Sequence, residues 1–259
     1  GKTTSTVNLG VGLAQAGNRV LLVDDDPQHS LTISLGIRNA DDDLDTTLAT
    51  AMQAEIRDES VPWEEGIIHS DEGVDLLPAN IELSGVEMSL FNAMSREQVL
   101  KSVLSRVKEN YDYILIDCMP SLGLMSINAL VAADSVIIPS APDFLSTKGL
   151  NLLIRTISKV RRQINPKLKI DGILMTMVDG RTNNAKNIIA ALRTTLDGNI
   201  RVFDTEIPRS VRAAEASGEG KSIFAFDPKG RVAQAYANLT KEVAELGKET
   251  NRSRSDGAR

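Results

Sequence analysis

The sequence predicts an α/β fold in which a mostly parallel, twisted sheet carries helices on both faces. Residues 19–23 and 111–117 are almost wholly apolar, as are strands that are buried on both faces of a parallel sheet. Such runs alternate with segments of helical periodicity, and this alternation requires crossover connections. Carboxylates follow both runs, which places them at the sheet edge where α/β proteins bind ligands.

The first half of the chain contains five predicted helices and three predicted strands. Apolar residues on one helical face predict a helix over residues 3–16, and Gly17 ends it in the left-handed conformation. After the strand at 19–23, we predict short helices at 31–35 and 46–54, a brief strand at 74–77 and a helix at 81–91. Ser95-Arg96-Glu97-Gln98 matches a capping box, which predicts a helix over 95–108.

The second half repeats the alternation of strand and helix. After the strand at 111–117, the pattern predicts a helix at 123–133, a strand at 135–139 and a long helix at 144–162 that ends before Pro166. A strand at 169–177, a helix at 187–196 and a last strand at 201–205 follow. The apolar spacing after Gly230 predicts a final helix over 230–246.

The length of 259 residues, without a Pro/Gly/Ser-rich linker or a repeat, predicts one domain over residues 1–247. Residues 248–259 are polar and charged, so we predict a disordered tail. The single cysteine, Cys118, excludes an internal disulfide, and no Cys or His spacing fits a metal site. No apolar run reaches the roughly 18 residues of a membrane span and no signal peptide is visible, so we expect a cytoplasmic protein without a membrane partner.

The net charge of −6 is unevenly distributed along the chain. Residues 37–73 contain eleven acidic and two basic residues, a net charge of −9. The remainder has 24 acidic and 27 basic residues, a net charge of +3, so a local basic face is compatible with the composition. A solvated acidic loop on an ordinary surface explains the same numbers.

The first four residues, Gly1-Lys2-Thr3-Thr4, match the second half of a phosphate-binding loop that runs into a helix. In that motif, backbone N–H groups surround a phosphate, the lysine reaches the terminal phosphates and the hydroxyl that follows binds Mg²⁺. Lys2 and Thr3 are the candidates for the last two roles. The tripeptide alone recurs by chance in surface turns, so the motif depends on the segments described next.

Two carboxylate sites follow predicted strands. Asp24-Asp25-Asp26-Pro27-Gln28 comes after the strand at 19–23, although an Asp cluster before proline is also typical of a turn or a helix cap. Asp117 ends the strand at 111–117, where phosphate-loop NTPases place the carboxylate that holds the hydration shell of Mg²⁺. Together these sites predict a nucleotide and Mg²⁺ at one edge of the sheet.

Taken in order, Gly-Lys-Thr-Thr, Val-Asp-Asp-Asp-Pro-Gln and Ile-Leu-Ile-Asp-Cys-Met-Pro-Ser resemble the motifs of the ParA family of partitioning ATPases, within the deviant-Walker-A P-loop NTPases. The resemblance covers nearly the whole chain, including Ile207-Pro208-Arg209 and Gly220-Lys221-Ser222-Ile223. It implies that Gly1, Lys2, Thr3, Thr4, Asp117, Ile207, Pro208 and Arg209 bind ATP and that Thr3, Asp26 and Asp117 hold Mg²⁺. It also implies that Lys2 and Asp26 act in hydrolysis, with Asp26 positioning the attacking water.

The resemblance also sets three expectations about departures from the family pattern. The family loop reads Lys-Gly-Gly-Val-Gly-Lys-Thr-Thr, and the sequence begins at the fifth position of that loop, at Gly1. We therefore expect an N-terminally truncated fragment that lacks the central strand before the loop, with a vacant slot in the sheet beside residues 113–117 and Lys2 poorly positioned. At position 29 the family more often has glycine than the His29 of this sequence, and at position 119 it more often has proline than Met119. Both residues lie next to the site, so we expect them to affect the rate of turnover more than nucleotide binding.

The resemblance implies weak ATP hydrolysis, an ATP-driven homodimer, non-specific DNA binding and stimulation by a ParB-type partner, at the nucleoid in the cytoplasm. Phosphate contacts with DNA require cations rather than base readout. The tentative candidates, which ordinary solvation also explains, are Arg209, Arg212, Lys221, Lys229 and Arg231.

Two alternatives remain at this point. One is a MinD-like membrane-cycling ATPase, which the absence of large apolar residues from 248–259 disfavours. The other is a metabolic or electron-transfer enzyme on the same scaffold. One cysteine cannot supply a dimer with the four ligands of a shared cluster. The cargo, whether a plasmid, a chromosome or another mobile element, is not encoded in these motifs.

Overall fold

The computed structural model of the chain describes residues 1–196 and 200–256. Its strands are β1 (Val20–Asp25), β2 (Ile68–His69), β3 (Asp75–Leu77), β4 (Tyr113–Cys118), β5 (Ser135–Ser140), β6 (Lys169–Val178) and β7 (Val202–Pro208). Its α-helices are α1 (Lys2–Gln15), α2 (Ser30–Ser34), α3 (Ala40–Asp43), α4 (Leu48–Arg57), α5 (Leu83–Leu90), α6 (Val99–Ser105), α7 (Leu124–Ala132), α8 (Phe144–Gln163), α9 (Asn183–Leu196), α10 (Val211–Gly218), α11 (Ile223–Phe226) and α12 (Arg231–Asp256).

The strands form two sheets, with the orders β2-β3-β1-β4 and β5-β6-β7. Every pairing is parallel except that of β2 with β3, so the predicted mostly parallel sheet is confirmed. In the first sheet, Asp24 pairs in register with Asp117 and Asp25 with Cys118. The carboxylates that follow the two apolar runs therefore meet at one edge, as the sequence predicts.

Helices cover both faces of the first sheet. Leu22 of β1 packs in a cluster with residues of α1, α2, α11 and α12, whereas Leu21 and Val23 pack with residues of α4, α5, α6 and α7. Successive residues of a strand point to opposite faces, so one buried strand supplies both cores. A third cluster joins β5 and β6 to α8 and α9. Apart from α11, the helices on both faces are those that the sequence predicts.

Strand β4 pairs with β1 along one edge and with no other strand of the described residues. Tyr113, Ile114, Leu115 and Ile116 are only half-buried, whereas every residue of β1 is buried. Strand β4 thus has no strand partner on its second side, where the sequence predicts a vacant slot beside residues 113–117.

At the β7 edge of the second sheet, a side chain binds the backbone N–H groups of the edge strand. Glu242 of α12 accepts hydrogen bonds from the backbone N–H groups of Asp204 (3.2 Å) and Thr205 (2.9 Å) on β7. The same carboxylate pairs with Arg201 at 3.2 Å. Helix α12 thus covers β7 and satisfies backbone donors that strand pairing leaves unused.

The predicted capping box at Ser95 is wrong. Ser95 has a positive φ of 49°, and the helix begins four residues later, at Val99. The side chain of Asn128 in α7 accepts a hydrogen bond from the backbone N–H of Leu100 at 3.1 Å. A tertiary contact therefore caps α6, and the local motif does not.

The C-terminal helix is longer than the sequence predicts. Helix α12 runs to Asp256, although the apolar pattern ends near residue 246, so the helix enters the segment 248–259 that the sequence assigns to a disordered tail. Residues 257–259 lie outside the described residues. The sequence also did not predict α3, α10, α11 or β2, which are short. No helix in the described ranges has the length and apolar character that crossing a membrane requires.

Candidate nucleotide-binding site

Helix α1 begins at the phosphate-binding motif. Gly1 is its N-cap residue, and Lys2, Thr3 and Thr4 form the first turn. No side chain caps this turn and none of its residues is acidic. Its backbone N–H groups and the positive end of the helix dipole therefore suit an anion such as phosphate.

Asp117, at the end of β4, faces this first turn. Its Oδ1 accepts a hydrogen bond from the hydroxyl of Thr6 at 3.3 Å, and the hydroxyl of Thr3 lies near enough to lower its pKa. Burial raises the pKa of Asp117, while the hydroxyl of Thr3 and the charge of Lys2 oppose that rise. Lys2, Thr3 and Asp117 thus lie together, and the charge of Asp26 also acts on Asp117.

The three consecutive aspartates after β1 have different surroundings. Asp24 is buried, and its Oδ2 accepts hydrogen bonds from the backbone N–H (2.8 Å) and the hydroxyl (2.7 Å) of Thr32 in α2. Burial raises the pKa of Asp24 to about 7 in spite of these bonds. Asp26 is half-buried, and its Oδ1 accepts a hydrogen bond from the backbone N–H of Gln28 at 2.9 Å. Asp26 therefore shapes the turn that follows β1.

Asp25 points away from the site. It lies on the same face of β1 as Leu21 and Val23, is fully buried, and has no hydrogen-bond partner for either carboxylate oxygen. Burial raises the pKa of Asp25 well above its ordinary value, and the charges of Asp24 and Asp26 raise it further. Burial likewise raises the pKa of the thiol of Cys118, its neighbour on β4. Burial therefore favours the neutral form of both groups.

Comparison with known proteins identifies the family. A family model described as an AAA domain matches residues 1–170. The sporulation initiation inhibitor protein Soj of Bacillus subtilis is 44% identical over 95% of this chain and 94% of its own length. The chromosome partitioning protein ParA of Caulobacter vibrioides is 38% identical over 94% of this chain and 89% of its own. The chain belongs to the ParA family of P-loop ATPases.

A solved structure agrees with this assignment. The cobyrinic acid a,c-diamide synthase from Mycobacterium smegmatis, with bound ADP and magnesium, has a TM-score of 0.81 and 34% identity to this chain. The match covers 95% of this chain and 90% of that one. The predicted P-loop fold is therefore confirmed for this member of the ParA family.

The residues of this ParA-family chain fit Mg²⁺ with a nucleotide. Mg²⁺ in nucleotide sites takes one or two protein oxygen ligands, and waters and phosphate oxygens supply the rest. Thr3 and Asp117 offer a hydroxyl and a carboxylate at the start of α1, and Asp26 lies within their electrostatic reach. No cluster of three or more His, Cys, Asp or Glu side chains that could hold a metal ion occurs among residues 1–196 and 200–256.

The segment Ile207-Pro208-Arg209 lies at the C-terminal end of β7, in the second sheet. Ile207 is buried in the core beside residues of α1, and Pro208 ends β7 in register with Val178. The backbone N–H of Arg209 donates to the carbonyl of Val178 at 3.0 Å, and its side chain is exposed. The structure thus places Arg209 at a sheet edge, whereas Ile207 contributes to packing. The assignment of all three to nucleotide binding stays a prediction.

The five basic candidates for DNA contact lie near α10, α11 and the start of α12, but their surroundings differ. The guanidinium of Arg212 pairs with Glu215 at 3.3 Å and Asp227 at 3.9 Å, and it lies 4.7 Å from the ring centroid of Phe226. Lys221 pairs with Glu219 at 3.2 Å. Arg209, Lys229 and Arg231 are exposed. These last three are therefore the better candidates for phosphate contacts.

Sequence reasoning missed three residues that support the site. Thr6 binds Asp117 and Thr32 binds Asp24. The buried side chain of Asn8 donates to the carbonyl of Thr4 at 2.7 Å and accepts from the backbone N–H of Ile223 at 2.7 Å. Thr6 and Asn8 lie four residues after Lys2 and Thr4, so helical spacing could have found them. Helical spacing could not have found Thr32, because its partner Asp24 lies in β1, before the turn that leads into α2.

Proposed function

We propose that this chain is an ATP-dependent DNA-segregation ATPase for a plasmid, a chromosome or another mobile element. The observation that carries the proposal is the convergence of Lys2, Thr3, Asp26 and Asp117 at the N-terminus of α1. Because this chain is similar to Soj and ParA, the convergence supports partitioning over other functions of the fold.

Each residue of the site has a role that its position supports. The amides of Gly1 to Thr4 and the ammonium of Lys2 bind the phosphates of ATP. Thr3, Asp117 and Asp26 would hold Mg²⁺, which neutralises charge on the phosphate oxygens when bound. Asp26 orients the attacking water, because it lies at the strand end within electrostatic reach of Asp117. Thr6 and Thr32 hold the neighbouring carboxylates in place.

The proposed ATPase turns over slowly by itself. Phosphoryl transfer needs a positioned water and stabilised charge, and a site that only a second copy completes supplies both poorly on its own. Two copies that close on ATP would complete the site. The dimer would also join two basic faces, each with Arg209, Lys229 and Arg231, and so bind DNA without base readout.

A ParB-type protein that binds the centromere site is the proposed partner, and the nucleoid in the cytoplasm is the proposed location. The curated relatives carry the names Soj and ParA, and one of them is described as a chromosome partitioning protein. Stimulation by such a partner would couple ATP hydrolysis to release from DNA.

A second candidate is an enzyme of corrinoid amidation, because a solved relative at 34% identity is a cobyrinic acid a,c-diamide synthase. The curated relatives named Soj and ParA are more similar, at 44% and 38% identity, and this favours partitioning. The MinD-like alternative would require an interfacial helix near the C-terminus.

The test is ATP turnover by the full-length protein alone, with non-specific duplex DNA, and with DNA plus the ParB-type protein of the same genome. We expect slow turnover alone and a marked rise with both additions. Turnover that responds to neither addition contradicts the proposal. ATP-dependent amidation of cobyrinic acid with glutamine would support the metabolic candidate, and ATP-dependent sedimentation with anionic vesicles would support the MinD-like one.

A further inference from the structure

The second half of helix α8 and the loop that follows it carry a concentration of positive charge. Residues 149–169 contain six basic residues and no acidic residue, although the whole chain has a net charge of −6. All six are exposed, and none forms an ion pair with any residue that the structure describes. We call these residues the α8 basic cluster: Arg155, Lys159, Arg161, Arg162, Lys167 and Lys169.

Three members of the cluster form one stripe along α8. Arg155, Lys159 and Arg162 are spaced by four and three residues, so their side chains are neighbours on one face of the helix, about 5–6 Å apart at Cβ. Ile157 and Val160 are buried in the core cluster that joins α8 to β5 and β6. The packing of this apolar face fixes the direction of the stripe, which is toward solvent.

The loop after α8 is held by hydrogen bonds at both of its ends. The side chain of Asn165 donates to the carbonyl of Ala133, the C-cap residue of α7, at 2.8 Å. The backbone N–H of Lys169 donates to the carbonyl of Asp134 at 3.1 Å. The backbone that carries Lys167 and Lys169 is therefore ordered before a ligand binds, which lowers the entropic cost of binding.

Neither nearby carboxylates nor the helix dipole account for the cluster. Asp134 and Asp171 lie beside it, and Asp171 accepts a hydrogen bond from the hydroxyl of Ser135 at 2.6 Å. Six cations against these two carboxylates leave a local net charge of +4. Arg161 and Arg162 occupy the last turn of α8, where the helix dipole favours basic residues. The other four members lie outside that turn.

The cluster lies at the far end of β6 from the nucleotide-binding site. Lys169 begins β6, and Val178, which ends it, accepts a hydrogen bond from the backbone N–H of Arg209 at 3.0 Å. Gly1 approaches the side chain of Thr176, near that same end. Strand β6 has ten residues, so at about 3.3 Å per residue its ends are about 30 Å apart. The cluster is therefore separate from the phosphate-binding turn and from Arg209.

The surroundings of the cluster favour one class of polyanion. A helix on a lipid surface places its apolar face in the interface, but the apolar face of α8 is buried in the core. Protein interfaces are usually centred on aromatic or methionine side chains, and residues 149–169 contain neither. Contacts with the phosphates of nucleic acid require only accessible cations. Duplex DNA is the occupant for which the cluster supplies what is needed.

We infer that the α8 basic cluster binds the phosphate backbone of duplex DNA without nucleotide and without a second copy of the chain. The inference goes beyond the proposed function, which assigns DNA binding to Arg209, Lys229 and Arg231 in an ATP-bound dimer. The two surfaces lie apart, so substitutions distinguish them.

The test measures binding of a labelled DNA duplex of two helical turns to the full-length protein without nucleotide. Fluorescence anisotropy at several salt concentrations gives the affinity and the slope of log K against log salt. We expect binding at low salt that weakens steeply as salt rises, because each phosphate contact contributes about −0.9 to this slope.

Variants then locate the surface. R155Q/K159Q/R162Q should lower the affinity at low salt at least tenfold and reduce the magnitude of the slope by about 3, and K167Q/K169Q should reduce it by about 2. The matched control is R57Q/K101Q/K241Q, which removes three exposed cations elsewhere and changes the net charge equally. It should leave the slope unchanged. R209Q/K229Q/R231Q should also leave binding without nucleotide unchanged.

Several results would overturn the inference. The first is the absence of duplex binding without nucleotide, and the second is an equal slope for wild type and R155Q/K159Q/R162Q. Loss of this binding in R209Q/K229Q/R231Q alone would assign all DNA contact to the surface of the proposed function. Sedimentation with anionic vesicles, without duplex binding, would assign the cluster to lipid.

Folding and function are controlled separately. Thermal unfolding identifies any variant that fails to fold, and if the substitutions in α8 prevent folding, K167Q/K169Q in the loop and at the start of β6 decides. The test needs neither ATP turnover nor a ParB-type protein, so failure of the proposed function leaves its outcome unaffected.

Discussion

One oxygen of Asp24 accepts two hydrogen bonds from Thr32, one from its backbone N–H and one from its hydroxyl. The hydroxyl of Thr32 in turn accepts a hydrogen bond from the backbone N–H of Ala79 at 3.1 Å. A single threonine thus connects the end of β1, helix α2 and the segment after β3 through three buried residues, Asp24, Thr32 and Ala79.

We expect T32V to destabilise the protein by about 1–3 kcal/mol, because it removes the hydroxyl donor of the Asp24 carboxyl and leaves the Ala79 amide without its buried acceptor, while the backbone N–H of residue 32 still donates to Asp24. T32S keeps the hydroxyl and should lie within about 1 kcal/mol of wild type. Urea unfolding of both variants measures the difference. Equal stability of T32V and T32S would contradict the role assigned to the hydroxyl.

Asp24 makes stability depend on pH in a defined direction. Its pKa of about 7 in the folded protein exceeds the ordinary value of 3.8, so the folded protein keeps a proton that the unfolded chain has lost. The destabilisation that results from burying Asp24 is absent below pH 3.8, grows as the pH rises from 3.8 to about 7, and is constant above that.

Unfolding free energies of wild type and D24N, measured without Mg²⁺ from pH 4 to pH 7.5, check this dependence. The wild type should lose stability relative to D24N as the pH rises, by at most about 4 kcal/mol at about 1.4 kcal/mol per pKa unit. A constant difference across this range would show that Asp24 is not the titrating group.

The buried and unpartnered Asp25 is a site where substitution should stabilise the protein. Replacing it with leucine removes an unsatisfied carboxyl and adds apolar contact beside Leu21 and Val23. We expect D25L to raise the free energy of unfolding by about 1–3 kcal/mol at pH 7, and D25N to have a smaller effect. Chemical denaturation measures both. Destabilisation by D25L would indicate that this carboxyl has a partner that the fold alone does not supply.

Asp26 should be needed for hydrolysis but not for ATP binding. We expect D26A to lower kcat by about 10²–10⁴-fold, the range typical of a residue that acts on the proton of the nucleophile. Its nucleotide Kd should stay within a few-fold of wild type, because Lys2, Thr3 and the amides of α1 bind the phosphates. Turnover and nucleotide titration on the full-length protein test this. Wild-type turnover in D26A would remove Asp26 from the mechanism.

Substitutions at four of the five basic candidates should affect DNA binding differently. We expect R209Q, K229Q and R231Q each to lower affinity and to reduce the slope of log K against log salt by about 1, since each loses one phosphate contact. R212Q breaks contacts with Glu215, Asp227 and Phe226, so it should lower stability more than it changes the slope. Binding isotherms with ATP at several salt concentrations measure both. Slopes that no substitution changes would place the DNA surface elsewhere.

The order of the larger elements was predictable because buried parallel strands and amphipathic helices have distinct periodicities. The strand predicted at 169–177, for example, is observed as Lys169–Val178. The capping box at Ser95 misled because Asn128, distant in sequence, caps α6 instead. The short helices α10 and α11 carry too few apolar residues for a period to emerge.

The candidate site was predictable as a location but not as an arrangement. Strand ends placed Asp24, Asp25, Asp26 and Asp117 at one edge of the sheet. Strand alternation could have shown that Asp25 faces the opposite core. The difference between Arg212 and Arg231 could not be predicted, because it depends on which acidic side chains the packing of α10 and α11 brings near each of them.

The carboxylate of Glu242 occupies backbone donors on β7 that an incoming strand would need. Exposed strand edges are where folded proteins join into cross-β aggregates, and natural proteins protect them with charge or cover. We therefore expect that β7 does not pair with strands of other copies, even at high local concentration. A substitution at Glu242 would raise the risk of amyloid-like stacking even where hydrolysis and DNA affinity are unchanged.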